Sequence, residues 1–130
     1  MPSNNLINRT FSFAVSVGKM TEKLPLSIIN RAYIGQIVRS SSSTYANYRA
    51  SQRAKSDRDF LNKLKIVEEE CDETIGFLEL LKAFNENAGS EINTLIEEGN
   101  QLLKIFVASI TTMRWKMSEN KKNIPKNQQG

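Results

Sequence analysis

Gln36-Ile37-Val38-Arg39-Ser40-Ser41-Ser42-Ser43-Thr44-Tyr45-Ala46-Asn47 is the stretch on which the fold turns. Five consecutive hydroxyl side chains, Ser40 to Thr44, read by propensity alone as a loop, because serine and threonine compete for their own backbone hydrogen bonds. A loop here would split the second segment of the chain in two. The spacing favours a helix instead. Ile29, Tyr33, Gln36 or Ile37, Ser40, Ser43 or Thr44 and Asn47 recur every three or four residues. No proline falls between Pro25 and Pro125. Ser27 is a suitable N-cap, its side-chain oxygen able to accept from a free N–H of the first turn. The pattern predicts one helix from about Ser27 to about Ser51.

Three further helices flank it. The first runs from about Asn5 to Lys23, with Leu6, Phe13, Val17, Met20 and Leu24 on one face. Pro25 stops it, because proline disfavours the helical conformation of the residue before it. The third runs from about Asp57 to Asn85. Ser56-Asp57-Arg58-Asp59 fits a capping box, and Phe60, Leu64, Val67, Cys71, Ile75, Leu78 and Leu81 form its apolar stripe. Asn87 and Gly89 read as a stop signal. The fourth is expected to begin after Ser90, taken as its N-cap, and to end near Lys116. Ile92, Leu95, Leu102, Phe106, Ile110, Met113 and Met117 line one face, and Gly99 on that stripe lets a neighbouring helix approach. No alternating strand pattern competes. Four amphipathic helices with short connections predict an all-α, antiparallel up-and-down four-helix bundle. The expected division is a bundle domain over residues 1–117 and a flexible basic tail over 118–130.

Composition narrows the function. The chain has 130 residues, enough for one domain and one core. It contains no histidine and a single cysteine, Cys71. Zinc clusters, Ser–His–Asp triads and Cys–His pairs are therefore excluded, and no catalytic residue, metal site or cofactor is assigned. The lone cysteine suits a reducing compartment. No window approaches the roughly 20 apolar residues of a membrane span. The N-terminus lacks the basic and apolar regions of a signal peptide, so the expected location is the cytoplasm.

Charge is distributed in blocks. Residues 1–55 carry eight basic and one acidic side chain, residues 56–112 five basic and twelve acidic, and residues 113–130 five basic and one acidic. Two readings follow: the basic first half packs beside the acidic second half, or it presents a basic face to nucleic acid.

The Gln36–Asn47 stretch resembles the signature of the 23S rRNA-intervening-sequence proteins, approximately Gln-Leu-x-Arg-Ala/Ser-x-x-Ser-x-x-x-Asn-Ile-Ala-Glu-Gly. Asp59-Phe60-Leu61-Asn62-Lys63-Leu64-Lys65-Ile66 is similar to that family's Glu-Phe-x-x-Phe-Leu-x-Ile-Ala run. Residues 73–81, from Glu73 to Leu81, resemble its Glu-Leu-Glu-Thr-x-Leu stretch, and Pro25 matches the proline before its second helix. The similarity spans about residues 8–115. The family's Ile-Ala-Glu-Gly is replaced here by Tyr48-Arg49-Ala50-Ser51. The resemblance implies a left-handed four-helix bundle, a ring-like homopentamer and no enzymatic activity. It also suggests a likeness to accessory proteins of retroelements that bind a reverse transcriptase and nucleic acid.

Gln36, Arg39, Ser40, Ser43 and Asn47 share one helical ridge. One reading places Gln36, Ser40, Ser43 and Asn47 at a helix–helix contact, where buried polar groups set register. The other makes the ridge a binding surface. Arg31, Arg39, Arg49, Arg53 and Lys55 are the candidates for RNA or DNA phosphate, because arginine's planar fork grips phosphate oxygens bidentately. Arg39 has an alternative partner in Glu69 or Glu73. Tyr45 and Tyr48 offer either base-stacking surfaces or core packing. Glu68-Glu69-Glu70-Cys71-Asp72-Glu73 reads as a solvated or intersubunit acidic face, with Cys71 as an inert core residue. Two functions are in view: a homo-oligomeric scaffold that binds nucleic acid, and an adaptor that recruits a protein partner such as a reverse transcriptase.

Overall fold

The computed structural model describes residues 2–122. Among them regular structure is helical throughout: α1 (Pro2–Glu22), α2 (Ile28–Ser51), α3 (Asp57–Phe84), a single 3-10 turn (Glu86–Ala88) and α4 (Gly89–Lys122). Consecutive helices pack side by side, and α1 closes the ring against α4. This is the four-helix bundle expected from the periodicity.

Local chemistry sets the ends. At the end of α1 the N–H groups of Lys23 and Leu24 turn back to the carbonyls of Met20 and Thr21, just before Pro25. Ser27 caps α2, its Oγ accepting from Asn30 N at 3.0 Å. Ser56 caps α3 by accepting from Asp59 N at 3.1 Å. The reciprocal arm of that box differs from the expected one. Asp59 accepts from Lys55 N at 3.1 Å rather than from the N-cap residue itself.

The hydroxyl-rich stretch is continuous helix. Its buried face is Ile37, Ser40, Ser41, Thr44, Tyr48 and Ser51. Each buried serine and threonine hydroxyl is satisfied inside its own helix. Ser40 donates to Ile37 O, Ser41 to Val38 O, Thr44 to Ser40 O at 2.8 Å and Ser51 to Tyr48 O at 2.6 Å. Back-bonding of this kind removes the cost of burying a hydroxyl, and the short side chains let α3 come close. Thr74 of α3 donates to Ser40 Oγ at 2.8 Å across that contact.

The core joins Phe13, Val17 and Met20 of α1, Ile37 and Tyr48 of α2, Leu64, Val67, Cys71 and Leu78 of α3, and Ile92, Leu102 and Phe106 of α4. Each fully buried large side chain contributes about 1.5–3 kcal/mol. Thr10 fills the gap between Leu6 and Phe13 on α1, bonded to Leu6 O at 2.8 Å. Gly99 is buried where α4 meets α3; a Cβ there would lie 2.9 Å from Ile75 Cγ1 and 3.3 Å from Phe13 Cζ. Close approach therefore needs glycine at this position.

Two boundaries differ from the sequence reading. The α3–α4 corner uses the 3-10 turn, with Gly89 already helical, so Ser90 lies inside α4 and is not its N-cap. Helix α4 also continues six residues past Lys116, to Lys122. The expected basic tail begins inside this helix, and its residues 123–130 lie outside the described residues.

Candidate nucleic-acid interface

The polar ridge separates into two environments. Ser40 is fully buried at the α2–α3 contact, as the helix-contact reading requires. Ser43 and Asn47 are half-buried and bond each other, Asn47 Nδ2 donating to Ser43 O and Ser43 Oγ, both at 2.9 Å. Gln36 is exposed. The true buried stripe is turned by one residue from the ridge read in sequence, and Ser41, Thr44 and Ser51 take the places given to Ser43 and Asn47.

The basic candidates are also divided. Arg39 is committed to α3, with Nη1 3.0 Å from Glu70 Oε2 and Nη2 on Glu73. Glu70 thus replaces Glu69 as one of its partners. Arg9 binds Glu98 of α4 at 2.7 Å and Lys23 binds Glu91 at 3.0 Å. These bridges join the basic first half to the acidic second half, as the packing reading anticipates. Glu98 accepts two bonds from Arg9 and so raises that guanidinium's pKa further.

Arg31 is exposed, but it precedes Arg49 by 18 residues, about 27 Å along the helix axis at 1.5 Å per residue. The fold does not bring it to the others. Arg49, Arg53 and Lys55 do cluster, at the C-terminal end of α2, and all three are exposed. Among the described residues none of their charged groups forms an ion pair. Ala46, Arg49, Ala50, Arg53 and Lys63 line a shallow depression between α2 and the start of α3. Lys63 is held there by Asp59. Lys63 and the Lys55 N–H in turn draw the Asp59 carboxyl below the usual carboxylate range.

An up-and-down bundle places the C-termini of α2 and α4 at the same end as the N-terminus of α3. That end is strongly basic. Residues 49–65 and 106–122 carry ten basic and three acidic side chains, a net +7. The other described residues carry seven basic and eleven acidic, a net −4. Division of the sequence into three consecutive blocks hides this polarity, which runs along the bundle axis. Arg58, Lys63, Lys65, Arg114, Lys116, Lys121 and Lys122 therefore join the candidate surface. Their signal lies in the topology: in this architecture the second and fourth helices are parallel, so their C-terminal bases converge.

The tyrosines split as well. Tyr48 is buried against Phe106, ring centres 5.7 Å apart, and burial raises its phenol pKa. It packs the core and presents no stacking face. Tyr45 meets Phe11 edge to face at 5.4 Å and accepts from Arg49 Nη1 at 3.4 Å. Cys71 is fully buried, its Sγ 3.5 Å from Gly99 O. Burial, with Asp72 and Glu98 nearby, pushes its thiol up to about 12. Among the described residues no group of three or more acidic or cysteine side chains is placed to hold a metal, and no helix is long and apolar enough to cross a membrane.

No protein with a curated description matches the chain. A crystal structure of a protein of unknown function from the S23 ribosomal protein family of Bacteroides thetaiotaomicron is similar, with 28 % identity and a TM-score of 0.77. The similarity covers 85 % of this chain and 99 % of that one. The family model described as 23S rRNA-intervening sequence protein matches residues 3–108. The signature around Gln36–Asn47, the four packed helices and this match agree: the chain belongs to the 23S rRNA-intervening sequence protein family.

Proposed function

We propose that the protein is a non-enzymatic, cytoplasmic, homo-oligomeric helical scaffold that binds nucleic acid, RNA foremost, through phosphate contacts at the basic end of its bundle. The observation that carries the reading is the net +7 on residues 49–65 and 106–122, with Arg49 and Arg53 exposed and in no ion pair among the described residues. Basic side chains near the ends of α2 and α4 also complement the helix dipoles, but that accounts for one or two charges per helix, not ten. A ring of copies, five by family resemblance, multiplies the basic end and so raises avidity. Light scattering then gives about 74 kDa for five chains of 14.7 kDa.

The test is an electrophoretic titration of a structured RNA against three forms: wild type, Arg49→Glu with Arg53→Glu, and Arg31→Glu. The double reversal weakens binding of every sequence alike, because phosphate contacts carry no base information. Arg31→Glu, at the far end, leaves binding within about twofold. Equal weakening by both variants contradicts a localised site.

An adaptor role is the second reading, and a separate surface favours it. At the opposite end Leu26 and Ile28 are 70 % and 87 % exposed, close in sequence to Ile29 and on the same end as Phe84. Tyr33 meets Phe84 at 5.9 Å beside them. A protein partner such as a reverse transcriptase would use that apolar end. Ile28→Asp then abolishes co-purification of the partner without touching RNA affinity.

A further inference from the structure

The end of α4 differs from the rest of the bundle. Of residues 111–122 none is buried, a helical length of about 18 Å. Met113 and Lys116 still line depressions with Phe60 at the start of α3, and beyond them the helix runs past the ends of its neighbours. Residues 111–122 carry Arg114, Lys116, Lys121 and Lys122 against Glu119, a net +3. Between Arg114 and Lys116 stands Trp115, 66 % exposed and the chain's one tryptophan. It lies five residues past Ile110, about 140° around the helix from that core position. A single exposed apolar residue is ordinary. An exposed indole between two bases, on the end that already holds Arg49, Arg53 and Lys55, combines the two features that hold single-stranded nucleic acid. Cations track the phosphates, and an aromatic face stacks a base whatever its identity.

We infer that the unburied C-terminal end of α4 is a stacking limb for unpaired nucleic acid, with Trp115 receiving a base while the surrounding lysines and arginines hold the strand's phosphates. This deepens the basic-end reading and rests on it. A paired strand offers its phosphates but keeps its bases inside the helix, so the indole discriminates single strands from duplexes. Sequence preference is weak, since every base has a stacking face.

Because Trp115 is the sole indole, its emission reports the contact directly. The probes are an oligouridylate of about 20 nucleotides and an RNA duplex of equal length, a size sufficient for one binding face. Wild type, Trp115→Ala, Trp115→Phe and the Arg49→Glu/Arg53→Glu form are titrated by mobility shift and, where the indole is present, by fluorescence. The single strand quenches wild-type emission with the midpoint seen by mobility shift. Trp115→Ala binds it at least about fivefold more weakly, and Trp115→Phe recovers part of the loss. Duplex affinity stays the same in both. Circular dichroism confirms that these exposed substitutions leave the helices intact. If Trp115→Ala binds the single strand as wild type does, or emission is unmoved at saturation, the stacking limb is wrong. It is equally wrong if emission shifts to the blue with protein concentration alone, which marks burial of the indole between copies. Loss of binding in the arginine double variant alone leaves the basic end standing without the limb. No binding by any form at low salt removes both.

Discussion

Substituting Gly99 tests the closest contact in the bundle. A Cβ at this position lies 2.9 Å from Ile75 Cγ1, below any ordinary carbon–carbon contact, and 3.3 Å from Phe13 Cζ. Two effects oppose each other. Alanine is the better helix former by about 1 kcal/mol at an interior position. Overpacking a filled core costs about 1–3 kcal/mol. Ile75 is buried and branched at Cβ, the atom that bears the struck Cγ1, so it has little room to turn aside. The clash therefore dominates, and Gly99→Ala is expected to destabilise by about 1 kcal/mol net. The sign depends on one neighbour. Ile75→Ala removes the struck atom and by itself costs about 2–5 kcal/mol. In that background Gly99→Ala meets only the Phe13 ring edge and should stabilise by up to about 1 kcal/mol. Urea unfolding followed by circular dichroism, at one fixed protein concentration, yields all four values of the cycle. A coupling of about 2 kcal/mol is predicted. Equal effects of Gly99→Ala in both backgrounds would refute the claim that glycine is there to seat Ile75.

The remaining predictions concern polar groups. Asn30 and Asn85 exchange amide hydrogen bonds at 2.8–2.9 Å, and Asn30 also donates to Pro25 O at 2.8 Å. Asn30 is buried, so Asn30→Ala leaves Asn85 short of a partner and should lower unfolding free energy by about 1–3 kcal/mol in the same urea assay. Arg39→Ala should cost less than about 1 kcal/mol, because its pairs with Glu70 and Glu73 are solvent-exposed and screened. Cys71 should resist a thiol reagent at neutral pH until the protein unfolds, since burial disfavours its thiolate; labelling faster than global unfolding contradicts its place in the core.

The sequence was most legible where apolar residues repeat without interruption. The stripes of α1 and α3, that of α4 as far as Ile110, the caps Ser27 and Ser56 and the stop at Pro25 reappear in the structure, whereas Met113 and Met117 of the α4 stripe are only half-buried. In α2 the signal is ambiguous for a physical reason. Its stripe is largely Ser and Thr, which suit either side of a helix, so Gln36–Ser43–Asn47 and Ile37–Ser41–Thr44 differ by one residue of phase and little in polarity. Only contact with α3 decides between them. The Asn30–Asn85 pair spans 55 residues and has no local signature. The corner at residues 85–89 was misread because Ser90 and Gly89 are as compatible with the inside of a helix as with its edge. At the candidate site Arg49, Arg53 and Lys55 were readable as a run of bases. Their convergence with Arg114, Lys116, Lys121 and Lys122 requires the chain to be folded up and down first, and the separation of Arg31 follows from the same geometry.

The proposed function requires that one end of the bundle bind nucleic-acid phosphate. The direct measurement is the dissociation constant of a structured RNA across a series of salt concentrations, for wild type and for Arg49→Glu with Arg53→Glu. Each phosphate contact contributes about 0.7–0.9 to the slope of log affinity against log salt. Wild-type affinity should fall steeply with salt, and the double variant should show a slope shallower by roughly 1.5 or more. Binding that ignores salt, or a slope unchanged by the two reversals, contradicts the account.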